Sequence, residues 1–376
     1  MYRVLFVDHA QALGGAEYSL LLLFEHLNRE QFEPFLVCNP SPLAERARQL
    51  GVQVIEITMP RLRKNVLAPA LLGRGAYRLA KVIREKRIDL VQSNVMRASF
   101  YAALAAWLTG VPLLWHVRDL YTPGVYVSWM ARVARAAVAI SRAVKEPLPA
   151  TLPCYVIPNG VDLSLFRVPK TESETLRRSW GVPEDGALVG FLGRLRKWKG
   201  PEDFIRAMAL VQARYPAARF VLVGGTVFAN GGDYEEELKT LARGLGLGDK
   251  LFFAGYRRDV PQVLAALDLL VHCSVVPEPF GRVIIEAMAA GLPVVAYNHG
   301  GPSEIILHQE TGLLVPPRDV RSLAEAVGLL LGRPEWARAL GRAGRRRVEQ
   351  CYEIRALTRR LEEVFVQVIE AERESR

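Results

Sequence analysis

The chain has 376 residues, of which half are hydrophobic and 23% charged, and its formal net charge is +10. That length exceeds one ordinary core and predicts at least two domains, and the composition excludes a disordered or collagen-like chain. The charge is uneven: residues 1–165 carry 19 Lys and Arg against 12 Asp and Glu, and residues 61–87 hold nine basic side chains against the one acid Glu85.

The apolar run 3–7 reads as a strand, and the glycine-bearing loop 11–15 leads into a helix over 16–27. Strands follow at 35–38, 52–57, 90–92 and 113–116, separated by helices at 43–50, 77–87 and 99–108. The second half repeats the pattern, with strands at 188–192, 220–223, 251–253, 269–272 and 293–296. Helices are expected there at 201–215, 234–245, 260–266, 282–290, 303–307 and 323–331. Such alternation predicts parallel sheets covered by helices on both faces. The proline-bearing stretch 152–170, with Asn159-Gly160 as a turn signal, divides the chain into domains 1–165 and 166–354. The tail 352–376 reads as a helix whose Leu357, Leu361, Val364 and Val368 form one apolar stripe. That stripe either caps the second domain or crosses back to the first.

Asp8 interrupts the first apolar run, so no signal-peptide core is expected at the amino terminus, and runs 18–24 and 101–115 are too short or too broken to span a membrane. Cys38, Cys154, Cys273 and Cys351 form no CxxC pair and no zinc-spaced cluster. The expectation is four buried thiols in a cytoplasmic protein, with no metal and no cofactor.

Ligands of doubly wound sheets collect beyond the carboxyl ends of the strands. After the first strand, Gly14 and Gly15 let backbone approach a ligand at a helix start that favours anions. No GxGxxG occurs, which argues against a dinucleotide-dependent dehydrogenase. His116 lies at another strand end, in Trp115-His116-Val117-Arg118-Asp119. In the second half, Gly193-Arg194 follows a strand and Lys199-Gly200 opens the next helix. A guanidinium fork and an ammonium there suit a diphosphate. The most specific segment is 278–286: Glu278, Pro279, Phe280, Gly281, Arg282, Val283 and, inside the helix, Glu286. Backbone amides at Gly281–Val283 suit phosphate, and the two carboxylates suit hydroxyls on either side of it.

These pieces resemble the retaining glycosyltransferases of family 4, the group 1 glycosyl transferases. The resemblance also runs through Pro158-Asn159-Gly160-Val161-Asp162, Gly255-Tyr256, the segment 289–295, Gly300-Gly301 with Glu304, and 311–315, and covers nearly the whole chain. It implies an α/β GT-B fold: two doubly wound Rossmann-like domains facing each other across a deep cleft, the first binding acceptor and the second nucleotide sugar. By the resemblance Arg194 and Lys199 hold the donor diphosphate and Glu286 the ribose. Glu278, with backbone at Phe280 and Gly281, faces the transferred sugar, as does His116. Gly15 approaches the phosphate and Tyr256 borders the base. It also implies that the terminal helix returns to the first domain. Many members carry an acid beside the histidine; here Val117 and Arg118 precede Asp119, so no role passes to Asp119.

Retention then implies a front-face, oxocarbenium-like path in which the leaving phosphate oxygen takes the acceptor proton. Positive charge and helix-end amides stabilise the leaving group without a metal, and domain closure excludes water. The expected substrates are a UDP- or GDP-hexose and a glycan or lipid-linked acceptor, as in cell-surface polysaccharide or glycolipid synthesis. A nucleotide-sugar epimerase or hydrolase is the alternative on the same fold. The basic stretch (Arg61, Arg63, Lys64, Arg74, Arg78, Lys81, Arg84, Lys86, Arg87), interleaved with Val66, Leu67, Leu71 and Leu72, fits peripheral contact with an anionic membrane at the inner face. Nucleic acid is not an expected partner, since basic charge alone gives no reason for the 278–286 site.

Overall fold

In the computed structural model, which describes residues 1–60, 68–225 and 232–375, every strand of the two sheets pairs in parallel. The first sheet contains β1 (Tyr2–Val7), β2 (Phe32–Cys38), β3 (Gln53–Glu56), β4 (Leu90–Ser93), β5 (Leu113–Val117), β6 (Ala136–Ala139) and β7 (Cys154–Val156). Their spatial order is β3-β2-β1-β4-β5-β6-β7. The second contains β8 (Leu188–Leu192), β9 (Arg219–Val223), β10 (Leu251–Gly255), β11 (Leu269–His272), β12 (Val294–Tyr297) and β13 (Leu313–Val315), in the order β10-β9-β8-β11-β12-β13. Strand order therefore reverses between β1 and β4, and again between β8 and β11. At such a reversal the loops leave to opposite sides and open a crevice at the strand ends.

Strands such as Val4–Val7 and Leu269–Val271 are apolar at every position because helices cover both faces of a parallel sheet. Two compact units result, residues 1–160 with 354–376, and residues 161–353. The division falls at 160/161 rather than 165/166, because the Val161 amide bonds the Tyr352 carbonyl (2.9 Å) and Val161 bridges Glu353. The terminal helix Ile354–Glu374 belongs to the first unit. Its Leu357, Leu361, Val364 and Val368 join a core with Leu20, Phe24 and Phe32, and Phe365 meets Phe6 and Phe32 edge-on at 6.1 and 5.8 Å.

Several elements lie outside the sequence expectation. β6 is Ala-Ala-Val-Ala, poor in β-formers, and complete burial rather than propensity makes it a strand. β7 occupies part of the expected linker. Helix Lys170–Ser179 has only Leu176 as an apolar residue and so shows no period. Helix Ala68–Glu85 begins nine residues before the expected 77, running through Gly73 and Gly75. A Cβ at Gly75 would lie 2.5 Å from the Tyr101 ring, so this glycine serves close helix packing and not a turn. The expectation of four buried thiols holds for Cys38 and Cys273; Cys154 is half-buried, and Cys351, ending helix Pro334–Cys351, is exposed. Among the described residues no helix is long and apolar enough to cross a membrane.

Candidate active site

The second unit assembles its polar residues where β8 and β11 meet. After β8 the Gly193 amide bonds the Val223 carbonyl (3.0 Å) and the Gly224 amide bonds the Gly255 carbonyl (2.8 Å), tying the ends of β8, β9 and β10 together. Arg194 emerges from this floor exposed, with no hydrogen bond or ion pair to a described residue. Tyr256 stands at the end of β10 beside Gly225, 59% exposed. A single 3-10 turn, Lys197–Lys199, follows Arg194 and is stitched to the end of β11. The Val275 amide donates to the Trp198 carbonyl (2.9 Å), and Cys273 Sγ to the Gly200 carbonyl (3.1 Å).

That stitching sets Lys199 Nζ 2.6 Å from Glu278 Oε2, with both side chains largely buried. Ser274 Oγ donates to the same oxygen at 2.8 Å, and His272 Nε2 lies 3.6 Å from it. Burial acts to raise the Glu278 carboxyl pKa, but the Lys199 ammonium, His272 and the two hydrogen bonds outweigh it and hold the group below its ordinary value. Burial pushes His272 down to about 4, against the pull of Glu278, so its imidazole is neutral near pH 7.

The Glu278 backbone is clamped as well. Its amide bonds the His299 carbonyl (3.2 Å), and its carbonyl accepts from Gly301 N–H (2.8 Å). Gly300 has φ +78°, and a Cβ there would lie 2.4 Å from the Glu278 carbonyl oxygen; at Gly301 it would lie 2.2 Å from that of Phe280. No other residue type lets the two segments lie this close. Phe280 is buried, and Gly281, with φ +98°, opens the helix Arg282–Ala289, which carries half-buried Val283 in its first turn. Glu286 accepts from Arg282 Nε at 2.7 Å. Burial raises the Glu286 carboxyl pKa, and Arg282 offsets that only in part.

The first unit builds a different network at its own reversal. Asp8, just past β1 and fully buried, accepts from Asn94 Nδ2 (2.6 Å) and the Ala10 amide (2.7 Å). Arg118, just past β5, donates from Nε to Asn94 Oδ1 (2.7 Å) and from Nη1 to Asn159 Oδ1 (2.8 Å). Within β5, His116 is buried with Nδ1 3.2 Å from Gln92 Nε2, and its Nε2 has no hydrogen-bond partner. Burial, then the Arg118 charge, hold its pKa well below the usual histidine value. The Gln92 side-chain amide is the polar group that meets Nδ1 of the neutral ring, and which ring nitrogen carries the proton depends on the tautomer. The Gly14 amide is taken by Glu17 Oε2 (2.6 Å), while Gly15, which begins helix Gly15–His26, is exposed. Among the described residues no three His, Cys, Asp or Glu side chains converge to hold a metal ion.

The family model described as "Glycosyl transferases group 1" matches residues 172–347, and that of "Glycosyltransferase Family 4" matches residues 13–165. A GDP-mannose-dependent alpha-mannosyltransferase of Mycobacterium tuberculosis is 31% identical over 325 residues, spanning 81% of this chain and 80% of that protein. The chain belongs to the group 1 glycosyltransferases. A 2-deoxystreptamine glucosyltransferase of Streptomyces kanamyceticus is 28% identical over 80% of this chain and 84% of its own. The crystal structure of Anabaena HepE in complex with UDP-glucose superimposes with a TM-score of 0.86 at 28% identity, covering 98% of this chain and all of that one. The fold of this glycosyltransferase is GT-B, and its activity is glycosyl transfer.

Of the residues singled out in its sequence, the structure brings Lys199 and Glu278 into one ion pair and joins Arg282 to Glu286. Arg194, Gly193 and Tyr256 line the strand ends beside them, and Gly14, Gly15 and His116 belong to the first unit. Around these residues the structure also places side chains that sequence reasoning missed: Ser274 and His272 around Glu278, and Gln92, Asn94 and Asp8 around His116 and Arg118. One signal was available for them. Gln92 lies within β4, and each of the others stands at or just beyond the end of a strand, where an isolated polar side chain must find a partner.

Proposed function

We propose that this glycosyltransferase moves a hexosyl unit from a UDP- or GDP-sugar to a glycan or lipid-linked acceptor, with retention and without a metal ion. The observation that carries the reading is the set of groups at the β8/β11 reversal. The exposed guanidinium of Arg194, which has no partner among the described residues, lies five residues from the half-buried Lys199 ammonium, with the ionised Glu278 beside it. Two cations suit a diphosphate, and a carboxylate next to them suits the hydroxyls of the attached sugar. Tyr256 and Glu286 take base and ribose. Phe280, Gly281, Arg282 and Val283 supply the turn and helix start, and Gly14, Gly15 and His116 serve the donor from the first unit. The mannosyl relative depends on GDP-mannose and HepE binds UDP-glucose, so both bases belong in the test. The expected setting is the cytoplasmic side of cell-surface polysaccharide or glycolipid synthesis.

The test is a thermal-shift screen against UDP, GDP, ADP and their common sugar conjugates in excess EDTA, followed by product analysis. At 100 times its Kd the right nucleotide stabilises by about 2.7 kcal/mol. Transfer that persists in chelator and yields the α-linked product from an α-linked donor is expected. Loss of transfer restored by magnesium or manganese overturns the metal-free mechanism, and an epimer or free sugar formed without acceptor favours the epimerase or hydrolase alternative.

A membrane partner fits the first unit. Helix Ala68–Glu85 exposes Arg74, Tyr77, Arg78 and Lys81 at spacings of three and four. The adjoining helix Met96–Thr109 exposes Trp107 and Leu108, and Arg84 bonds the Leu108 carbonyl at 2.9 Å. Cations flanked by an interfacial aromatic suit anionic headgroups; Arg61, Arg63, Lys64, Val66 and Leu67 lie outside the described residues. The protein is expected to co-sediment with phosphatidylglycerol vesicles at low salt, and Arg74→Glu with Arg78→Glu to abolish this. Absence of wild-type binding at low salt removes the partner.

A further inference from the structure

We infer that Ser274 and His272 are positioning residues that fix Glu278 by one oxygen so that its other oxygen reads the transferred sugar. The inference rests on the donor-site reading above and deepens it. All three polar neighbours of the carboxylate converge on Oε2: Lys199 Nζ at 2.6 Å, Ser274 Oγ at 2.8 Å and His272 Nε2 at 3.6 Å. Oε1 receives no hydrogen bond from any described residue and is not sealed from solvent. The backbone beneath is clamped on both sides by His299 and Gly301, so the carboxylate has little freedom except rotation about its own bonds. An ionised carboxylate offers about four acceptor positions, and two are already filled on one oxygen. The remaining capacity lies on Oε1, in the form a sugar hydroxyl needs.

Lys199 is common to the two tasks of the site. The Lys199 ammonium has three N–H donors, and turning some of them toward a diphosphate shares them between two anionic partners and loosens its hold on Oε2. Ser274 is then the short hydrogen bond that stays with Oε2, and His272 stands behind it. His272 is 4% exposed and its Nδ1 finds no partner, so the ring is held by packing and presents Nε2 alone to the carboxylate. This division gives Ser274 and His272 an effect on sugar recognition that nucleoside diphosphate binding does not feel.

The experiment titrates full-length protein with UDP and UDP-glucose, and in parallel GDP and GDP-mannose, comparing wild type with Ser274→Ala, Ser274→Thr and His272→Gln. Ser274→Ala is expected to weaken the nucleotide sugar and lower kcat by about 10-fold each, the size of one hydrogen bond to a charged group. The nucleoside diphosphate Kd should stay within about 2-fold, since that hydrogen bond does not touch phosphate. Ser274→Thr and His272→Gln keep a donor and should retain most of the wild-type sugar preference. Equal weakening of both ligands in Ser274→Ala would make Ser274 a structural residue of the whole site and overturn the inference, as would no change in either. Failure of every wild-type titration would instead remove the donor-site reading and the inference with it. If Ser274→Ala does not fold, Ser274→Cys, a weaker donor, must fall between wild type and loss, and a wild-type sugar preference there overturns the inference equally.

Discussion

Lys199→Ala is expected to cut transfer by about 100-fold or more, on the scale of losing one preorganised donor to a developing anion, and to destabilise the protein as well. Arg194→Ala should cost comparable activity with almost no loss of stability. The difference follows from what each cation touches. Arg194 is exposed and has no partner among the described residues, so its removal strands none of them. Lys199 neutralises a carboxylate that is only 10% exposed. Removing one member of a buried pair costs about 3 kcal/mol or more, because the remaining charge stays in a poorly solvated place. Part of that loss is recovered if Glu278 takes up a proton, and its pKa should then rise above the ordinary carboxylate value, since burial is the largest influence on it. Steady-state kinetics with the donor from the thermal screen, paired with urea unfolding, checks both halves. Near-wild-type turnover in the two variants would sink the diphosphate assignment. Equal destabilisation of the two would mean that the Lys199–Glu278 pair does not hold in solution.

That pair also marks where the sequence stops being informative. The segment 278–286 was legible because its residues are neighbours in the chain: two carboxylates with seven residues between them, a proline, a glycine and a helix start. The Lys199–Glu278 contact spans 79 residues, and only the reversal of strand order between β8 and β11 brings its members together. Ser274 was invisible for a related reason. A serine after a strand is common, and its meaning depends on a carboxylate whose direction is set by Gly300 and Gly301 packing against 278–280. The two glycines themselves were legible as a motif, although the close backbone approach that demands them was not. For the fold, continuous apolar runs such as 188–192 announced buried parallel strands, whereas β6 and β7 were lost to alanine content and brevity. The terminal stripe told only that a partner exists. Its burial against Phe6, Phe32 and Leu20 depends on where β1 and β2 lie, which no local pattern encodes.

Glu278→Gln should separate charge from shape. The amide fits the same space and can still accept a hydrogen bond at one oxygen, but it leaves the half-buried Lys199 ammonium without a counter-charge. Activity is expected to fall by about 100-fold, as for loss of one electrostatic contact in the transition state. A residual rate near 1% fits a carboxylate that orients and stabilises sugar along a same-face path. A loss approaching the roughly million-fold scale of a deleted nucleophile, or a trapped glycosyl–Glu278 ester in wild type, would contradict that path. The same variant tests the ionisation of Glu278 through stability. Its folded pKa is lowered, so its ionised form contributes stability that is fully present above the unfolded carboxyl value of about 4.3 and is lost as pH falls through the lower folded value. The stability gap between wild type and Glu278→Gln should therefore be constant from pH 7 down to about 5 and shrink only below about 4.3. A gap that instead widened on acidification would mean that Glu278 is held protonated in the native protein, which a carboxylate paired with Lys199 at 2.6 Å cannot be.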